Sequence, residues 1–237
     1  MQSYKAVVFD YGGVIMSYEK EVPAWKELEK EYNLAPRTIQ THLFRIFKHR
    51  PDLEKRLFEG RYTAEELERE ELSEYLSEQI GVELPRPLPL LHRWMGPGSE
   101  IPFNDEMLLA VKILRSRGYH TSILTNNYIF DKAGLAERTP VDNSLFDLIV
   151  ESTKEGVMKP ERKIYEIIQS RLPSSISRHE IVFLDDNHHN IEAADDFGWA
   201  TIEVNPYQIK PSIEKLEDLL NINLTSTSVV QLHEKEK

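Results

Sequence analysis

The sequence predicts an α/β fold in which helices cover both faces of a parallel β-sheet and a helical segment is inserted near the start. Three observations support this prediction. Five short apolar runs rich in branched residues alternate with helical patterns. Several of the runs end abruptly in polar or glycine residues, as buried parallel strands do at turns. The stretch of about 100 residues after the first run shows helical patterns and no strand pattern.

Each apolar run has the length of a strand buried on both faces. The predicted strands are Ala6–Phe9, Thr121–Leu124, Leu148–Val150, Ile181–Leu184 and Thr201–Val204. Three helices are predicted between them: one after Asn104 that stops at Gly118, one that starts at Pro160, and one from about Asn190 to a glycine stop. The strands are therefore expected to be parallel, with ligands bound at their carboxyl ends.

The inserted stretch predicts three helices, Glu21–Tyr32, Pro36–Phe47 and Thr63–Ile80. The last opens with a capping box formed by Thr63 and Glu66. These patterns divide the chain into a core at residues 1–17 and 101–222 and a helical cap with a Pro-rich return linker at residues 18–100. Residues 223–237 are expected to be a flexible tail.

Composition excludes several classes of function. The chain has 29 Lys and Arg against 40 Asp and Glu, and its net charge of -11 opposes nucleic acid and anionic membranes as partners. It contains no cysteine, which excludes disulfides, thiolate metal sites and cysteine nucleophiles. Neither a signal-peptide pattern nor an apolar run of the ~18–20 residues needed to span a bilayer is present. We expect a cytoplasmic protein that acts on a small molecule.

Acidic, hydroxyl, amide and cationic side chains follow four of the predicted strands, directly or in the next loop. They are Asp10, Thr125, Asn126, Lys159, Asp185 and Asp186. A carboxylate nucleophile, hydroxyl and amide donors, a cation and an acidic pair that meet in one crevice suit phosphoryl transfer assisted by a divalent metal. Mg²⁺ fits because it prefers oxygen ligands and keeps several waters.

Four segments carry a resemblance to a known family. They are Val7–Ile15, Ile123–Asn127, Gly156–Pro160 and Val182–Asp186. In order and content they resemble the four motifs of the haloacid-dehalogenase-like (HAD) hydrolases, over a region from residue 4 to about residue 205. Within the family they resemble the phosphatase-like domain of soluble epoxide hydrolase and the domain that precedes certain acyl-CoA dehydrogenases. The resemblance implies a Rossmann-like three-layer core with an inserted helical cap.

The resemblance also implies a role for each residue at the strand ends. Asp10 would attack phosphorus and become an aspartyl phosphate. Thr125, Asn126 and Lys159 would hold the transferring phosphoryl group of a small phosphorylated substrate. These roles suit phosphoryl transfer, because that reaction depends mostly on positioning and electrostatic stabilisation.

A metal site is implied at the same place. Asp10, Asp186 and the backbone carbonyl of Gly12 would ligate Mg²⁺, and Asp185 would orient Lys159 or a metal-bound water.

One position departs from the family pattern. Phosphatases of the family usually carry an Asp two residues after the nucleophile, where it serves as general acid and base, and here that residue is Gly12. Such catalysis typically contributes ~10²–10⁴-fold. We therefore expect a preference for good leaving groups, as in anomeric, acyl or aryl phosphates, and we expect Gly12→Asp to raise the turnover of alkyl phosphates unless the glycine backbone conformation is itself required.

Three other interpretations remain to be weighed. A haloacid dehalogenase needs no metal, so the acidic pair Asp185 and Asp186 favours phosphate. A receiver domain is excluded by motif order and by the helical insertion. A catalytically weak or inactive binding or scaffold module of the same fold stays open, because the missing acid at Gly12 would be its first sign. The adjacent His188 and His189 point about 100° apart on a helix and are not expected to share a metal.

Overall fold

The computed structural model describes residues 3–20, 22–96, 99, 101–132 and 139–225. Most of the expected tail, residues 226–237, lies outside the described residues. Five parallel strands form one sheet in the order β3-β2-β1-β4-β5. The strands are β1 Ala6–Phe9, β2 His120–Thr125, β3 Leu148–Glu151, β4 Ile181–Asp185 and β5 Ala200–Glu203. Each predicted strand is present, and its bounds differ from the prediction by one residue at most.

The central position of β1 places Asp10 in the middle of the carboxyl edge. Phe9 pairs with Ile123 of β2 on one side and with Leu184 of β4 on the other. The Asp10 N–H then donates to the Leu184 carbonyl at 2.8 Å. Residues that end β2 and β4 must therefore flank Asp10.

The two faces of the sheet are covered by separate apolar clusters. Along β1, Val7 and Phe9 belong to one cluster while Ala6 and Val8 belong to the other, as the alternation of side chains along a strand requires. The covering helices are α7 Asp105–Ser116, α8 Ser152–Glu155, α9 Arg162–Arg171, α10 His188–Phe197 and α11 Lys210–Leu220. The predicted three-layer α/β core is confirmed, although α8 and α11 were not predicted and α9 begins at Arg162 rather than at Pro160.

Helices also form the inserted stretch between β1 and α7, which confirms the predicted cap. They are α1 Pro23–Glu31, α2 Thr38–His49, α3 Pro51–Phe58, α4 Ala64–Leu67, a π-helical turn Glu68–Leu72, α5 Ser73–Ile80 and α6 Leu90–Met95. The sequence did not predict α3 and α6. Both are short, and α6 follows the Pro-rich linker directly, so neither shows enough periodicity to separate it from a loop. No helix in the described part of the chain is long and apolar enough to cross a membrane.

The start of α4 is fastened to the core. The backbone N–H groups of Ala64 and Glu65 donate to the carbonyls of Ile129 and Phe130, both at 2.9 Å. These two carbonyls belong to the loop that follows β2. The cap is thereby held over the carboxyl edge of the sheet.

We expect Thr63→Ala to lower the free energy of unfolding by about 1 kcal/mol, because it removes the cap of α4. The Thr63 hydroxyl accepts from the Glu66 N–H at 3.1 Å, and the Glu66 carboxylate accepts from the Thr63 N–H at 2.9 Å. Urea denaturation measures the effect. Thr41→Ala, at an exposed position inside α2, is the matched control and should leave stability unchanged or slightly higher. Equal losses in both variants would contradict the capping role.

Candidate active site

A cavity of about 710 Å³ lies between the carboxyl edge of the sheet and the helical cap. Polar residues at the strand ends line its floor: Asp10, Gly12, Thr125, Asn126, Lys159 and Asp186. Much of its wall is aromatic or apolar: Tyr18, Phe44, Phe47, Phe58, Trp94 and Met95. The structure therefore brings the residues predicted from the strand ends together, with Asp185 fully buried next to them.

The ammonium group of Lys159 joins two of the predicted carboxylates. Its Nζ lies 2.8 Å from Asp10 Oδ1 and 2.6 Å from Asp185 Oδ2, and the residue is 1% exposed. Burial alone would lower the pKa of Lys159, but the two carboxylates more than offset it and hold that pKa above its ordinary value. Lys159 is therefore a fixed cation beside Asp10.

Asp185 is fully enclosed by donors. Besides Lys159, its carboxylate accepts from the Asn187 N–H at 2.8 Å and from Asn190 Nδ2 at 3.0 Å. A carboxylate so completely bonded is held in one orientation. The contact with Lys159 fits one of the two roles that the family resemblance implies for Asp185, the orientation of Lys159.

The side chain of Asn126 holds the loop that carries Lys159. Its Oδ1 accepts from the Lys159 N–H at 2.8 Å and its Nδ2 donates to the Lys159 carbonyl at 2.9 Å. This reciprocal pair was not foreseen, because the two residues are 33 positions apart and nothing local in the sequence marks the contact. Asn126 thus fixes Lys159 in place and also lines the cavity floor.

A second buried carboxylate stabilises the same loops. Glu151, at the end of β3, is 3% exposed and accepts from Asn127 Nδ2 at 2.8 Å and from the Thr139 N–H at 3.0 Å. Nothing in the sequence marks this network beyond the polar residues that end β2. It ties the end of β2 to β3 and so steadies Thr125, which is buried at the cavity floor.

Three carboxylates meet in this site, and one lysine cannot balance them. Oxygen atoms of Asp10, Asp185 and Asp186 all lie within 4.8 Å of one another. Burial raises the pKa of Asp10 to about 7 even though Lys159 opposes the shift. Burial, with the charges of Asp10 and Asp185, raises the pKa of Asp186 to about 8. Excess negative charge on oxygen ligands fits a divalent cation such as Mg²⁺.

Gly12 and Gly13 are glycines for different reasons. Gly13 has φ 70°, and a Cβ there would lie 2.6 Å from Asp186 Oδ2. Gly12 is outside the left-handed region, so its backbone tolerates a side chain. A Cβ at Gly12, however, would lie well under 3.0 Å from the hydroxyl oxygen of Tyr18.

In the otherwise unchanged protein, Gly12→Asp is therefore not expected to raise alkyl phosphate turnover, contrary to the prediction from sequence. The backbone at Gly12 accepts a side chain, and the obstacle is instead the ring of Tyr18, six residues further on. Sequence reasoning missed Tyr18, because its approach to the nucleophile loop depends on the fold of the cap.

Two tryptophans of the cap and the adjacent histidines of α10 have structural or exposed positions. Trp25 is buried, packs on Trp94 at 4.8 Å between ring centroids, and donates from Nε1 to the Leu90 carbonyl. Trp94 is buried in the same cluster and also lines the cavity. His188 and His189 are exposed and interact with neighbouring glutamates.

The fold and the buried Asp–Lys–Asp arrangement define a capped α/β hydrolase with an aspartate at the end of its first strand. The sequence model of the haloacid dehalogenase-like hydrolases matches residues 4–198. The chain belongs to this family.

Three curated relatives illustrate the range of similar proteins. The bifunctional epoxide hydrolase 2 of Sus scrofa is 29% identical over 94% of this chain and 40% of its own length. Acyl-CoA dehydrogenase family member 10 of Mus musculus is 29% identical over 94% of this chain and 20% of its own length. The chain thus spans less than half of either protein. The D-ribitol-5-phosphate phosphatase of Bacteroides thetaiotaomicron is 23% identical over 84% of this chain and 91% of its own length.

Solved structures share the fold at low sequence identity. A dehalogenase superimposes with a TM-score of 0.62 at 18% identity, covering 94% of this chain and all of its own. A HAD family enzyme from Bacteroides thetaiotaomicron, in complex with magnesium and inorganic phosphate, superimposes with a TM-score of 0.52 at 19% identity. The alignment covers 87% of this chain and 96% of that one.

We expect Mg²⁺ to raise the melting temperature, and to do so more strongly as the pH increases. Asp10 and Asp186 hold protons more tightly in the folded chain than their ordinary value of 3.8 allows. Without metal, their stabilising contribution is therefore present at low pH and is lost as the pH rises through about 7 and 8. A cation competes with these protons, so its effect should be small at a pH of about 5 and large at a pH of about 9.

Thermal melts with and without Mg²⁺ across this pH range test the expectation. Asp186→Asn should remove the Mg²⁺ response. Asp196→Asn, at an exposed position on α10, should retain it. A response that is independent of pH, or one that survives Asp186→Asn, would contradict a metal site at the acidic cluster.

Proposed function

We propose that this protein is a Mg²⁺-dependent phosphatase that acts through an aspartyl phosphate at Asp10 on a small phosphorylated metabolite with a good leaving group. The single observation that carries the proposal is the position of Lys159 between Asp10 and Asp185, with Asp186 in the same carboxylate cluster. A dehalogenase needs no metal and can dispense with the acidic pair Asp185 and Asp186. The phosphatase among the curated relatives supports the same reading.

The phosphate site would be formed by groups that surround Asp10. The buried Lys159 ammonium supplies positive charge, Thr125 supplies a hydroxyl at the end of β2, and both line the cavity floor. One N–H of the Asn126 amide is bonded to the Lys159 carbonyl, and its second N–H is the one we assign to a phosphoryl oxygen. Asp185 takes no part in this shell and instead positions Lys159.

The reaction divides into two displacements at phosphorus. An oxygen of Asp10 forms a bond to phosphorus while the ester bond breaks, and the electron pair of that bond stays on the leaving oxygen. Water then attacks phosphorus, the bond to Asp10 breaks, and phosphate and the free carboxylate are released. Lys159 stays next to Asp10 throughout and offsets negative charge at the site.

A metal would be held by Asp10, Asp186 and the Gly12 carbonyl. When bound, Mg²⁺ neutralises charge on the phosphoryl group and on the carboxylates.

The body of the substrate would occupy an apolar space. Aromatic side chains of the cap, among them Phe44, Phe47 and Trp94, line the cavity above the polar floor. Such a wall favours a leaving group with planar or apolar surface over a strongly hydrated one. Aryl phosphates combine this property with a low leaving-group pKa, which the absence of an acid at Gly12 requires.

We also propose that the chain divides into a core, residues 1–17 and 101–222, and a cap, residues 18–100. We propose that the protein is cytoplasmic and has no nucleic-acid or membrane partner. The competing candidate is an inactive binding module of this fold, and the glycine at position 12 is the observation that favours it.

We expect Mg²⁺-dependent hydrolysis in a panel of alkyl, aryl, acyl and anomeric phosphates, with kcat/KM about 10²-fold or more higher for the good leaving groups than for the alkyl ester. Phosphate release measures turnover. Asp10→Asn should abolish it while preserving a cooperative thermal transition, and Asp196→Asn serves as the matched control with normal turnover. Failure of every phosphate with the wild-type protein would leave the binding module as the function. Halide release from a 2-haloacid without metal would instead identify a dehalogenase.

A further inference from the structure

The hydroxyl of Tyr18 occupies the space that a side chain at position 12 would need. A Cβ built on Gly12 would have Tyr18 Oη and Cζ as its two nearest neighbours, with Cζ at 3.3 Å and Oη nearer still. The Oη separation is about that of two covalent bonds, which is how far a carboxyl oxygen of aspartate lies from its own Cβ. The phenol oxygen thus lies at about the distance from this Cβ that a carboxyl oxygen of an aspartate would have.

The ring of Tyr18 is held there by the cap. Its centroid lies 4.9 Å from that of Phe44 and 6.1 Å from that of Trp94, and Gln40 Nε2 donates to the Tyr18 carbonyl at 3.0 Å. Tyr18 also lines the cavity that contains Asp10. The ring is therefore held by packing, at the border of the cavity in which a substrate would react.

The Tyr18 hydroxyl is also available for a ligand. The hydroxyls of Tyr11 and Tyr165 donate to backbone carbonyls at 2.9 and 3.0 Å. Within the described ranges, the hydroxyl of Tyr18 makes no such bond to the protein. A phenol is neutral near pH 7 and donates one hydrogen bond.

We propose that Tyr18 replaces the missing acid as a catalytic hydrogen-bond donor to the leaving-group oxygen, an inference that rests on the proposed phosphatase function. As the bond from Asp10 to phosphorus forms and the ester bond breaks, the electron pair remains on the leaving oxygen. The Tyr18 O–H donates to that oxygen without giving up its proton, and water supplies the proton that completes the alcohol. Hydrogen-bond donors aimed at developing charge typically contribute ~10²–10³-fold.

The proposal predicts that the effect of removing the Tyr18 hydroxyl on kcat/KM depends on the pKa of the leaving group. A donor matters most where most negative charge develops, so Tyr18→Phe should lower kcat/KM by about 10²-fold for phosphates whose leaving groups have a high pKa. For the best leaving groups the variant should approach the wild-type rate. If the role of Tyr18 were purely structural, Tyr18→Phe would lower kcat/KM by the same factor for all substrates.

The experiment is a series of substituted aryl phosphates and one alkyl phosphate, assayed with Mg²⁺ for the wild-type protein and for Tyr18→Phe. Tyr62→Phe removes a hydroxyl that bonds Glu70 inside the cap and is the matched control, with no change of slope expected. A steeper dependence on leaving-group pKa in Tyr18→Phe alone supports the proposal. An unchanged slope overturns it while wild-type turnover keeps the proposed function intact.

A pair of variants tests whether the Tyr18 hydroxyl and a side chain at position 12 occupy the same space. Gly12→Asp alone should lower turnover of every phosphate, because its Cβ collides with the Tyr18 hydroxyl. In a Tyr18→Leu background the same substitution should raise alkyl phosphate turnover, because the carboxylate then has room and supplies a proton. Higher alkyl turnover from Gly12→Asp with Tyr18 in place would overturn the inference. Complete inactivity of the wild-type protein would instead refute the proposed function.

Discussion

The buried contact of Lys159 with Asp10 and Asp185 is the interaction on which the rest of the site depends. Removing one partner from such a buried group typically costs about 3–5 kcal/mol, because the remaining charge has no counterion. The protein satisfies this constraint by surrounding the contact with donors. Asn187 and Asn190 bond Asp185, and reciprocal bonds from Asn126 hold the backbone of Lys159. The loops at the carboxyl edge are therefore organised around one cation.

The same constraint explains how an acidic chain would admit the anionic substrate that we propose. The net charge of -11 repels phosphate at long range, and eight Glu against two Arg between residues 61 and 83 place much of that charge on the cap. Inside the cavity there is more positive charge than the net charge suggests, because Lys159 is fixed at the floor and Lys48 lines the wall. A divalent cation among the three carboxylates would remove the remaining excess of negative charge. Local charge, rather than net charge, determines what the site accepts.

The sequence predicted the core well because its signals are local. Apolar runs mark the five strands, and the residues directly after them, such as Asp10 and Asp186, must meet at one edge once the strands are parallel. The helices α3 and α6 were missed because short helices carry little periodicity. Tyr18 and the bond between Asn126 and Lys159 were missed for another reason. Both depend on contacts between segments that only the folded cap and loops bring together, so the consequence of a glycine at position 12 could not be read from the chain alone.

The central claim is that Asp10 becomes covalently phosphorylated. The most direct measurement is mass spectrometry of the protein after acid quench, following rapid mixing with excess aryl phosphate and Mg²⁺. The account predicts the added mass of one phosphoryl group on the peptide that contains Asp10, and its absence in Asp10→Asn. Release of phosphate by the wild-type protein with no such adduct at any time, or with an adduct on another residue, would contradict it.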